Sequence, residues 1–475
     1  MNHQPSQDQG LTRRQALAGA AAVGGTPLII GAAAAPASAS AATGNGGHAP
    51  AAELRRMLRE ISAQNIRRTV LKLVSFGTRN TLSAQDDPTR GIGAARDWLF
   101  EEFKKAAAPS GGRMTVELQS FVQPAQPPRY PQPTPVTNVV ATLHGTQTES
   151  AARTYVVSGH YDSMPTGVTD FTSDAPGAND DASGVAAVLE MARVMATRTF
   201  DATIVFMAVA GEEQGLWGST YFAQQAKQAN RNIAGMFTND IIGSSVGQNG
   251  IRDPRTVRIF AEGLPSTPAP AEADWRRYGG GETESLARQL ARYVKEVAEN
   301  DATRMKVMMV YRRDRFGRGG DHIPFLERGY AAARFTETNE DWRHQHQNVR
   351  VENGVQIGDL PEFCDFDYIA RVARVNAISL ASLALAPAAP GGTVMDSSGF
   401  DTDTTLTWIA NTEPDLAGYE VVMRATTDPE WTKTIEVGNV TTVSLKNIFK
   451  DNYFFGVRAV DKAGNRSPVS FPGRA

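Results

Sequence analysis

The chain contains a single cysteine, Cys364, among its 475 residues. One cysteine excludes an intrachain disulfide and a metal site made of several thiolates. Excess charge is also lacking, since the formal net charge is -3 at pH 7. A chain so close to neutral offers no electrostatic argument for binding nucleic acid or an anionic membrane surface. We therefore expect no nucleic-acid partner.

Long hydrophobic runs are lacking as well, although residues 1–39 have a distinctive order. The pair Arg13 and Arg14 comes first, a weakly apolar run broken by glycines follows, and small residues including Ala37 and Ala39 end the stretch. The run is too short and too rich in glycine for a membrane span. This order is typical of a twin-arginine signal peptide cleaved after Ala39. It predicts a periplasmic or secreted protein, without a membrane span after signal removal.

Residues 50–387 alternate between strand and helix patterns, in a chain of globular composition with 41% hydrophobic residues. Apolar runs predict strands that include residues 153–160, 202–211 and 331–337. Helical periodicity predicts helices that include residues 51–76, 184–197 and 367–385. This alternation predicts an α/β fold: a mainly parallel twisted sheet with helices on both faces.

The composition changes between Leu383 and Gly392, where alanine, proline and glycine dominate. Short alternating strand patterns separated by turns then continue to the last residue and predict an all-β sandwich over residues 390–475. Its residues Trp408, Tyr419, Leu445 and Tyr453, with the ending VRAVDKAGNRS, resemble a fibronectin type III module. Such a module could dock the protein on a surface or polymer, or could only pack on the preceding domain.

Histidine is scarce, with seven in the chain, and two of them lie in or beside the predicted signal. The others include His160, which ends a predicted strand, and His322. Most carboxylates of interest follow strand ends or lie in the loops beyond them: Asp162, Asp180, Asp181, Glu212, Glu213 and Asp240. The carboxyl edge of an open α/β sheet is its ligand crevice. Histidines and carboxylates gathered there without cysteine match zinc or a similar divalent ion.

The motifs around these residues resemble those of metallopeptidase family twenty-eight, the di-zinc exopeptidases that include bacterial leucyl aminopeptidases. The resemblance covers about residues 52–385 and is carried by GHYDS, GANDDASG, GEEQGLWGS, the ND at 239–240, and GGDHIPF. It implies a fold of the zinc exopeptidase type. It also implies an exported aminopeptidase that binds two Zn²⁺ per chain and hydrolyses N-terminal residues of peptide or protein substrates.

The resemblance implies a metal ligand at five positions. The expected ligands are His160, Asp180 and Asp240 for one ion, and Asp180, Glu213 and His322 for the other. Asp180 would therefore bridge the two ions. Two ions held in this way can activate a water and polarise the scissile carbonyl.

Three further residues receive expectations from the same resemblance. Glu212 is expected to be the general base, and Asp162 the partner of the second ring nitrogen of His160. In this family the peptide bond after the bridging aspartate is cis. The resemblance thus predicts a cis bond between Asp180 and Asp181, with Asp181 shaping the backbone rather than binding metal.

Two further features concern the substrate pocket, and the first departs from the family pattern. Asp321 stands where some family members have a tyrosine that stabilises the oxyanion, so zinc or another donor must supply that stabilisation. The stretch ETNEDWRHQHQ contains His344 and His346, and the family often has a histidine-containing loop near the pocket there. These two histidines either line the pocket or are exposed on a loop.

Three alternative functions remain open from the sequence. Arginines between Arg312 and Arg318 could bind a C-terminal carboxylate, which leaves open a carboxypeptidase of the same superfamily. The segment DHIPFL resembles the last-ligand segment of glutaminyl cyclase, an aminoacyl transferase that works with a single zinc. A non-catalytic binding protein, in which the C-terminal module is the working part, is the third; the paired Glu212 and Glu213 argue against it.

Overall fold

Apolar, largely β-branched runs form the strands of an eight-stranded sheet in the first part of the chain. A computed structural model describes residues 51–266 and 269–474, so the predicted signal at residues 1–39 lies outside the described ranges. The strands are β1 Met114–Gln123, β2 Thr134–Leu143, β3 Arg153–His160, β4 Thr203–Val209, β5 Asn232–Asn239, β6 Thr256–Phe260, β7 Lys306–Val310 and β8 Ala332–Glu337. Every residue of β3, β4 and β8 is buried, as continuous apolar runs require.

The strand order in this sheet is β1-β2-β4-β3-β5-β8-β6-β7. The central strands β4, β3, β5 and β8 run parallel to their neighbours in that series. Strands β1 and β2 pair antiparallel, as do β2 with β4 and β6 with β8. The α/β class is confirmed, with a mixed sheet whose parallel part is its centre.

Nine α-helices belong to the described residues. They are α1 Ala52–Arg59, α2 Ala63–Val74, α3 Ile92–Ala107, α4 Ala182–Met195, α5 Trp217–Gln228, α6 Pro270–Tyr278, α7 Leu286–Ala298, α8 Ile323–Leu326 and α9 Phe366–Leu385. Strand β4 lies on one side of β3 and β5 lies on the other. The connection from β3 to β4 therefore crosses the sheet in the opposite direction from the connection between β4 and β5. Because parallel crossovers are right-handed, α4 and α5 lie on opposite faces.

The prediction of one helix over residues 51–76 is wrong, because the chain forms α1 and α2 instead. Ser62 begins the second helix: its side chain accepts a hydrogen bond from the Asn65 amide at 3.3 Å. Its own amide donates to Glu190 on α4 at 2.8 Å. A capping serine tied to a neighbouring helix ends the first helix although the apolar periodicity continues.

Helix α9 is the central helix of the core. Of the described residues, this helix alone has the length and apolar composition to cross a membrane, and 78% of its most apolar window is buried inside the protein. Such burial is the ordinary property of a core helix.

Residues after α9 form short strands around a second apolar core. A small hairpin before α9 contains β9 Arg350–Glu352 and β10 Val355–Ile357. The strands after α9 are β11 Val394–Met395, β12 Thr404–Thr407, β13 Leu416–Ala425, β14 Lys433–Gly438, β15 Thr442–Leu445, β16 Tyr453–Asp461 and β17 Gly473–Arg474. They form one sheet in the order β15-β12-β11-β17 and another in the order β14-β13-β16. Trp408, Tyr419 and Leu445 are buried in the core that these sheets share.

Alternation along β13 explains how this C-terminal part packs on the rest. Tyr419, Val421 and Met423 belong to the second core. Arg424, which follows Met423 and points to the other face, instead forms an ion pair with Glu284. Buried polar side chains on the outer face of the sheet therefore contact the first part of the chain. The domain boundary between residues 387 and 390 stays a prediction.

Candidate active site

The candidate site lies where the order of the central strands reverses. His160 is the last residue of β3, Glu212 and Glu213 follow β4, and Asp240 follows β5 directly. Because β4 and β5 flank β3 on opposite sides, their outgoing loops separate and leave a crevice above β3. The sheet topology thus gathers these four side chains at one edge.

Asp180 lies at the centre of the cluster, with its two carboxylate oxygens facing two histidines. Oδ1 lies 3.1 Å from Nε2 of His160, and Oδ2 lies 3.0 Å from Nε2 of His346. Each histidine also faces a second carboxylate: Asp240 Oδ1 lies 3.9 Å from His160 Nε2, and Glu213 Oε2 lies 3.1 Å from His346 Nε2. This is the arrangement expected of a bridging carboxylate with one histidine and one acid on each side.

The prediction that His322 groups with Asp180 and Glu213 is corrected by this geometry, because His346 occupies that place. His322 is buried just before α8, and its Nε2 lies 2.8 Å from the carbonyl oxygen of Arg313. The described residues include no contact between His322 and either carboxylate. The sequence marked His346 only as a pocket candidate, since its distance along the chain gave no sign that its loop folds back over Asp180.

The donor atoms of the cluster lie close enough to hold metal ions. Those of His160, Asp180 and Glu213 lie within 4.8 Å of one another, and so do those of His160, Glu212 and Asp240. Burial raises the pKa of Glu212 well above its usual value, and nearby carboxylates raise it further. Burial would lower the pKa of His346, but the carboxylates of Glu213 and Asp180 raise it to about 11. So many acids sharing one buried space require positive charge among them.

Asp162 connects the two sides of the crevice. Its carboxylate accepts hydrogen bonds from the backbone amides of Glu212 at 3.3 Å and Glu213 at 3.1 Å. Nδ1 of His160 lies 3.5 Å from Oδ1 of Asp162 and 3.2 Å from its carbonyl oxygen. Asp162 therefore lies where the partner of His160 was expected, and it also holds the acidic pair in place.

Asp181 orders two neighbouring segments rather than joining the cluster. The peptide bond between Asp180 and Asp181 is cis, which confirms the prediction. The Asp181 carboxylate caps α4 by accepting from Gly184 at 3.0 Å, and it accepts from the His160 amide at 3.0 Å. These contacts tie the helix start to the end of β3.

Three residues that the sequence analysis missed support Asp180 and Asp240. Asp359 accepts hydrogen bonds from the amides of Asn179 and Asp180, each at 2.7 Å. Arg79 is fully buried and donates to the carbonyl oxygens of Pro176, at 2.6 Å, and Gly177, at 2.9 Å. Arg334 on β8 lies 2.9 Å from Oδ1 of Asp240, and this guanidinium helps to lower the pKa of Asp240 although burial opposes it. No local motif marks these residues, because their partners are distant in sequence.

The remaining pocket candidates lie apart from the cluster. His344 stacks on Phe363 with ring centroids 3.6 Å apart, and its Nδ1 lies 3.7 Å from Asp341. His344 lines a separate cavity on the other side of its loop. Asp321 is completely buried beneath the site, where burial raises its pKa to about 7.

A cavity of about 360 Å³ opens above the cluster. Asp180, Glu212, Glu213, Asp240 and His346 line it from the cluster side. The opposite side is formed mainly by arginines and small or apolar residues: Arg129, Met164, Val168, Arg315, Gly317, Arg318 and Gly319. A substrate in this cavity would contact buried acids on one side and guanidinium groups on the other.

Comparison with known proteins agrees with this site. The model described as Peptidase family M28 matches residues 138–350, a range that contains all six residues of the cluster: His160, Asp180, Glu212, Glu213, Asp240 and His346. A probable zinc metalloprotease of Leptosphaeria maculans is 51% identical over 424 residues, which cover 89% of this chain and 97% of that one. A probable zinc metalloprotease of Pyrenophora tritici-repentis is 52% identical over 425 residues, covering 89% and 87%.

Solved structures show similarity at lower identity. The LapA aminopeptidase of Legionella pneumophila is 21% identical with a TM-score of 0.47, covering 69% of this chain and 74% of that one. A glutaminyl cyclase of Fimbriiglobus ruber is 19% identical with a TM-score of 0.49, covering 68% and 95%. These two similarities do not distinguish an aminopeptidase from a glutaminyl cyclase. The curated relatives, identical at about half of their positions over most of their length, show that the chain belongs to peptidase family M28 and is a metallopeptidase.

Proposed function

We propose that the protein is an exported zinc-dependent aminopeptidase that uses two zinc ions per chain to remove N-terminal residues from peptides. The observation that carries this proposal is the position of Asp180. Each of its oxygens faces a different histidine, and each histidine faces a further acid.

The residues present fit two zinc ions. His160, Asp180 and Asp240 would hold one, and Asp180, Glu213 and His346 the other. Imidazole nitrogens and carboxylate oxygens are ordinary zinc ligands. Glu213 Oε1 is buried without a hydrogen-bond partner among the described residues, as expected of an oxygen meant for another ligand. When bound, zinc lowers the pKa of water and polarises a carbonyl oxygen. The zinc metalloprotease names of the relatives support the choice of metal.

Glu212 would move the proton in this reaction. Its carboxylate lies within 4.8 Å of the donor atoms of His160 and Asp240, and Asp162 holds its backbone amide. A carboxylate with a raised pKa can accept a proton from the attacking water and then donate it to the departing amine. Glu212 thus serves first as base and then as acid.

The dimensions of the cavity favour an exopeptidase. A volume of about 360 Å³ is near the lower end for ligand pockets and suits one or two terminal residues better than a continuing chain. A carboxypeptidase is the second candidate, because Arg129 and Arg318 line the same cavity and guanidinium groups bind carboxylates.

Paired substrates test the proposal. We expect hydrolysis of leucine p-nitroanilide and no hydrolysis of an N-blocked dipeptide with a free C-terminus, with activity lost in chelator and restored by zinc. The reverse preference would establish the carboxypeptidase. Metal analysis should find two zinc ions per chain, whereas one ion with cyclisation of N-terminal glutamine would establish the cyclase. The variant Glu212→Gln should keep both ions and lose at least about a hundredfold in kcat.

Export and surface docking complete the proposal. The twin-arginine pattern supports a periplasmic or secreted location. A cleft of about 710 Å³ beside the C-terminal strands, lined by Trp275, Tyr278, Phe400 and Phe449, supports docking to a surface or polymer, since exposed aromatic rings offer large contact area. Loss of binding to such a surface after removal of residues 390–475, with leucine p-nitroanilide hydrolysis retained, would support a docking role.

A further inference from the structure

Arginines with different surroundings line one side of the cavity above the acidic cluster. They are Arg129, Arg315 and Arg318, and each comes from a loop outside the strand ends that carry the cluster. What each guanidinium already contacts decides which of them can meet a substrate.

The guanidinium of Arg315 already forms ion pairs within the protein. Its Nη1 lies 2.6 Å from Oε2 of Glu340, and its Nε lies 3.5 Å from Oδ1 of Asp314. Because two carboxylates balance its charge and its side chain is buried, Arg315 is a structural part of the cavity wall.

Arg318 contacts a proposed ligand instead of an acid. Its Nη1 lies 3.0 Å from Nδ1 of His346, and its guanidinium lies 5.4 Å from the centre of the Trp342 ring. No carboxylate within residues 51–266 or 269–474 forms an ion pair with it. Zinc binding through Nε2 of His346 leaves the ring hydrogen on Nδ1. A nitrogen that carries a hydrogen cannot accept one from a guanidinium, so Arg318 is free to bind another acceptor in the zinc-loaded enzyme.

Arg129 is likewise available. It is exposed on the proline-rich loop between β1 and β2, and its guanidinium lies 5.4 Å from the centre of the Tyr130 ring. The described part of the chain offers it no acidic partner. Arg129 and Arg318 therefore present two unbalanced guanidinium groups to one small cavity.

We propose that Arg318 and Arg129 form a carboxylate-binding subsite, so that the enzyme prefers short peptides that carry a carboxylate beside the scissile bond. This inference rests on the proposed peptidase function. The carboxylate is either an acidic side chain or the free C-terminus of a dipeptide. Guanidinium groups recognise both in the same way, through charge-assisted and often paired hydrogen bonds.

Two matched pairs of dipeptides distinguish a C-terminal carboxylate from the carboxylate of an acidic side chain. Leu-Ala is compared with its C-terminal amide, and Leu-Glu amide with Leu-Gln amide, using the zinc-loaded full-length protein. KM and kcat are measured by chromatography of released leucine. Dissociation constants are measured by calorimetry on Glu212→Gln, which binds without turnover. We expect the charged member of at least one pair to have a KM and a Kd about tenfold lower than its neutral partner.

Arginine variants test which residues cause the preference for the charged peptides. Arg318→Gln and Arg129→Gln should each reduce the charged-to-neutral ratio toward one, whereas Arg318→Lys should keep part of it. Arg312→Gln is the matched control: Arg312 is exposed on the same loop, stacks on Phe316 at 4.1 Å and does not line the cavity.

The outcomes that overturn the subsite differ from those that overturn the function. Ratios within twofold for both pairs in the wild-type protein, or ratios unchanged in the Arg318→Gln, Arg129→Gln double variant, would overturn the subsite. If no peptide is hydrolysed, the proposed function fails, and the calorimetric ratios still decide whether the subsite exists.

Discussion

His346 combines the contacts and the backbone conformation of a functional residue. Its φ of 50° lies in the left-handed region, which costs a side chain other than glycine about 1 kcal/mol or more. The same residue brings Nε2 to within 3.1 Å of carboxylates on two different loops. Strain that persists at a residue with such contacts indicates a role in binding.

Metal content should distinguish the two candidate histidine ligands. His346→Ala should lower the zinc content from two ions per chain toward one and reduce kcat at least about a hundredfold, because one ion loses its only imidazole. His322→Gln is the control, since glutamine can still donate to the Arg313 carbonyl. Atomic absorption after dialysis provides the measurement, and a zinc content that falls only in the His322 variant would restore the original assignment.

The buried carboxyl group of Asp321 makes the stability of the metal-free protein depend on pH. Its pKa is about 7 in the folded protein and 3.8 in the unfolded chain. Between these values the unfolded chain has lost the proton and the folded protein keeps it, so the unfolded state binds fewer protons. The free energy of unfolding therefore decreases as pH rises through this window.

Replacement of Asp321 by asparagine should remove that decrease. Between about pH 4 and pH 7, Asp321→Asn should lose less unfolding free energy than the wild-type protein, by a difference on the order of 3 kcal/mol. Urea unfolding of both proteins in chelator at several pH values measures it. Parallel pH profiles would show that Asp321 does not retain its proton.

At the scale of elements, the start of α4 packs directly against the strand ends. A Cβ placed on Gly184 would lie 2.2 Å from the carbonyl oxygen of Asn239, at the end of β5. The neighbouring Asp181 ties the same helix start to β3. This close approach is what brings Asp180 over the crevice, and the small residues of GANDDASG make it possible.

Substitution of Gly184 should therefore affect both stability and the site. Gly184→Ala should lower the free energy of unfolding by about 3 kcal/mol, because backbone atoms must move apart. It should also weaken zinc binding. Gly391→Ala is the matched control, since a Cβ there meets nothing within 4 Å. Equal unfolding curves for the two variants would contradict the close packing.

Across the whole molecule, ion pairs in which at least one side chain is buried join the C-terminal strands to the peptidase part. Arg153 on β3 lies 3.2 Å from Glu413, and both side chains are 5% exposed. Arg458 on β16 pairs with Glu296 on α7 at 2.8 Å. Such contacts orient the two parts, since a buried charge without its partner is strongly unfavourable.

Removal of one buried partner should therefore destabilise the protein without changing its chemistry. Glu413→Ala should lower the free energy of unfolding by about 3 kcal/mol and leave kcat/KM for leucine p-nitroanilide within about twofold. Lys446→Ala is the control: its exposed pair with Asp403 should contribute less than about 0.5 kcal/mol. A large loss of activity in Glu413→Ala would show that the C-terminal part shapes the active site.

The sequence by itself determined the alternation of strands and helices and the position of the acids at the strand ends. Both depend on local patterns: buried strands require apolar runs, and parallel strands end at one edge. The break between α1 and α2 followed instead from Ser62 and its tertiary partner Glu190. Only the tertiary structure decided that His346, and not His322, faces Asp180, and that Arg79, Asp359 and Arg334 support the cluster. These contacts join residues far apart in the chain, and their distances depend on how loops fold back over the sheet.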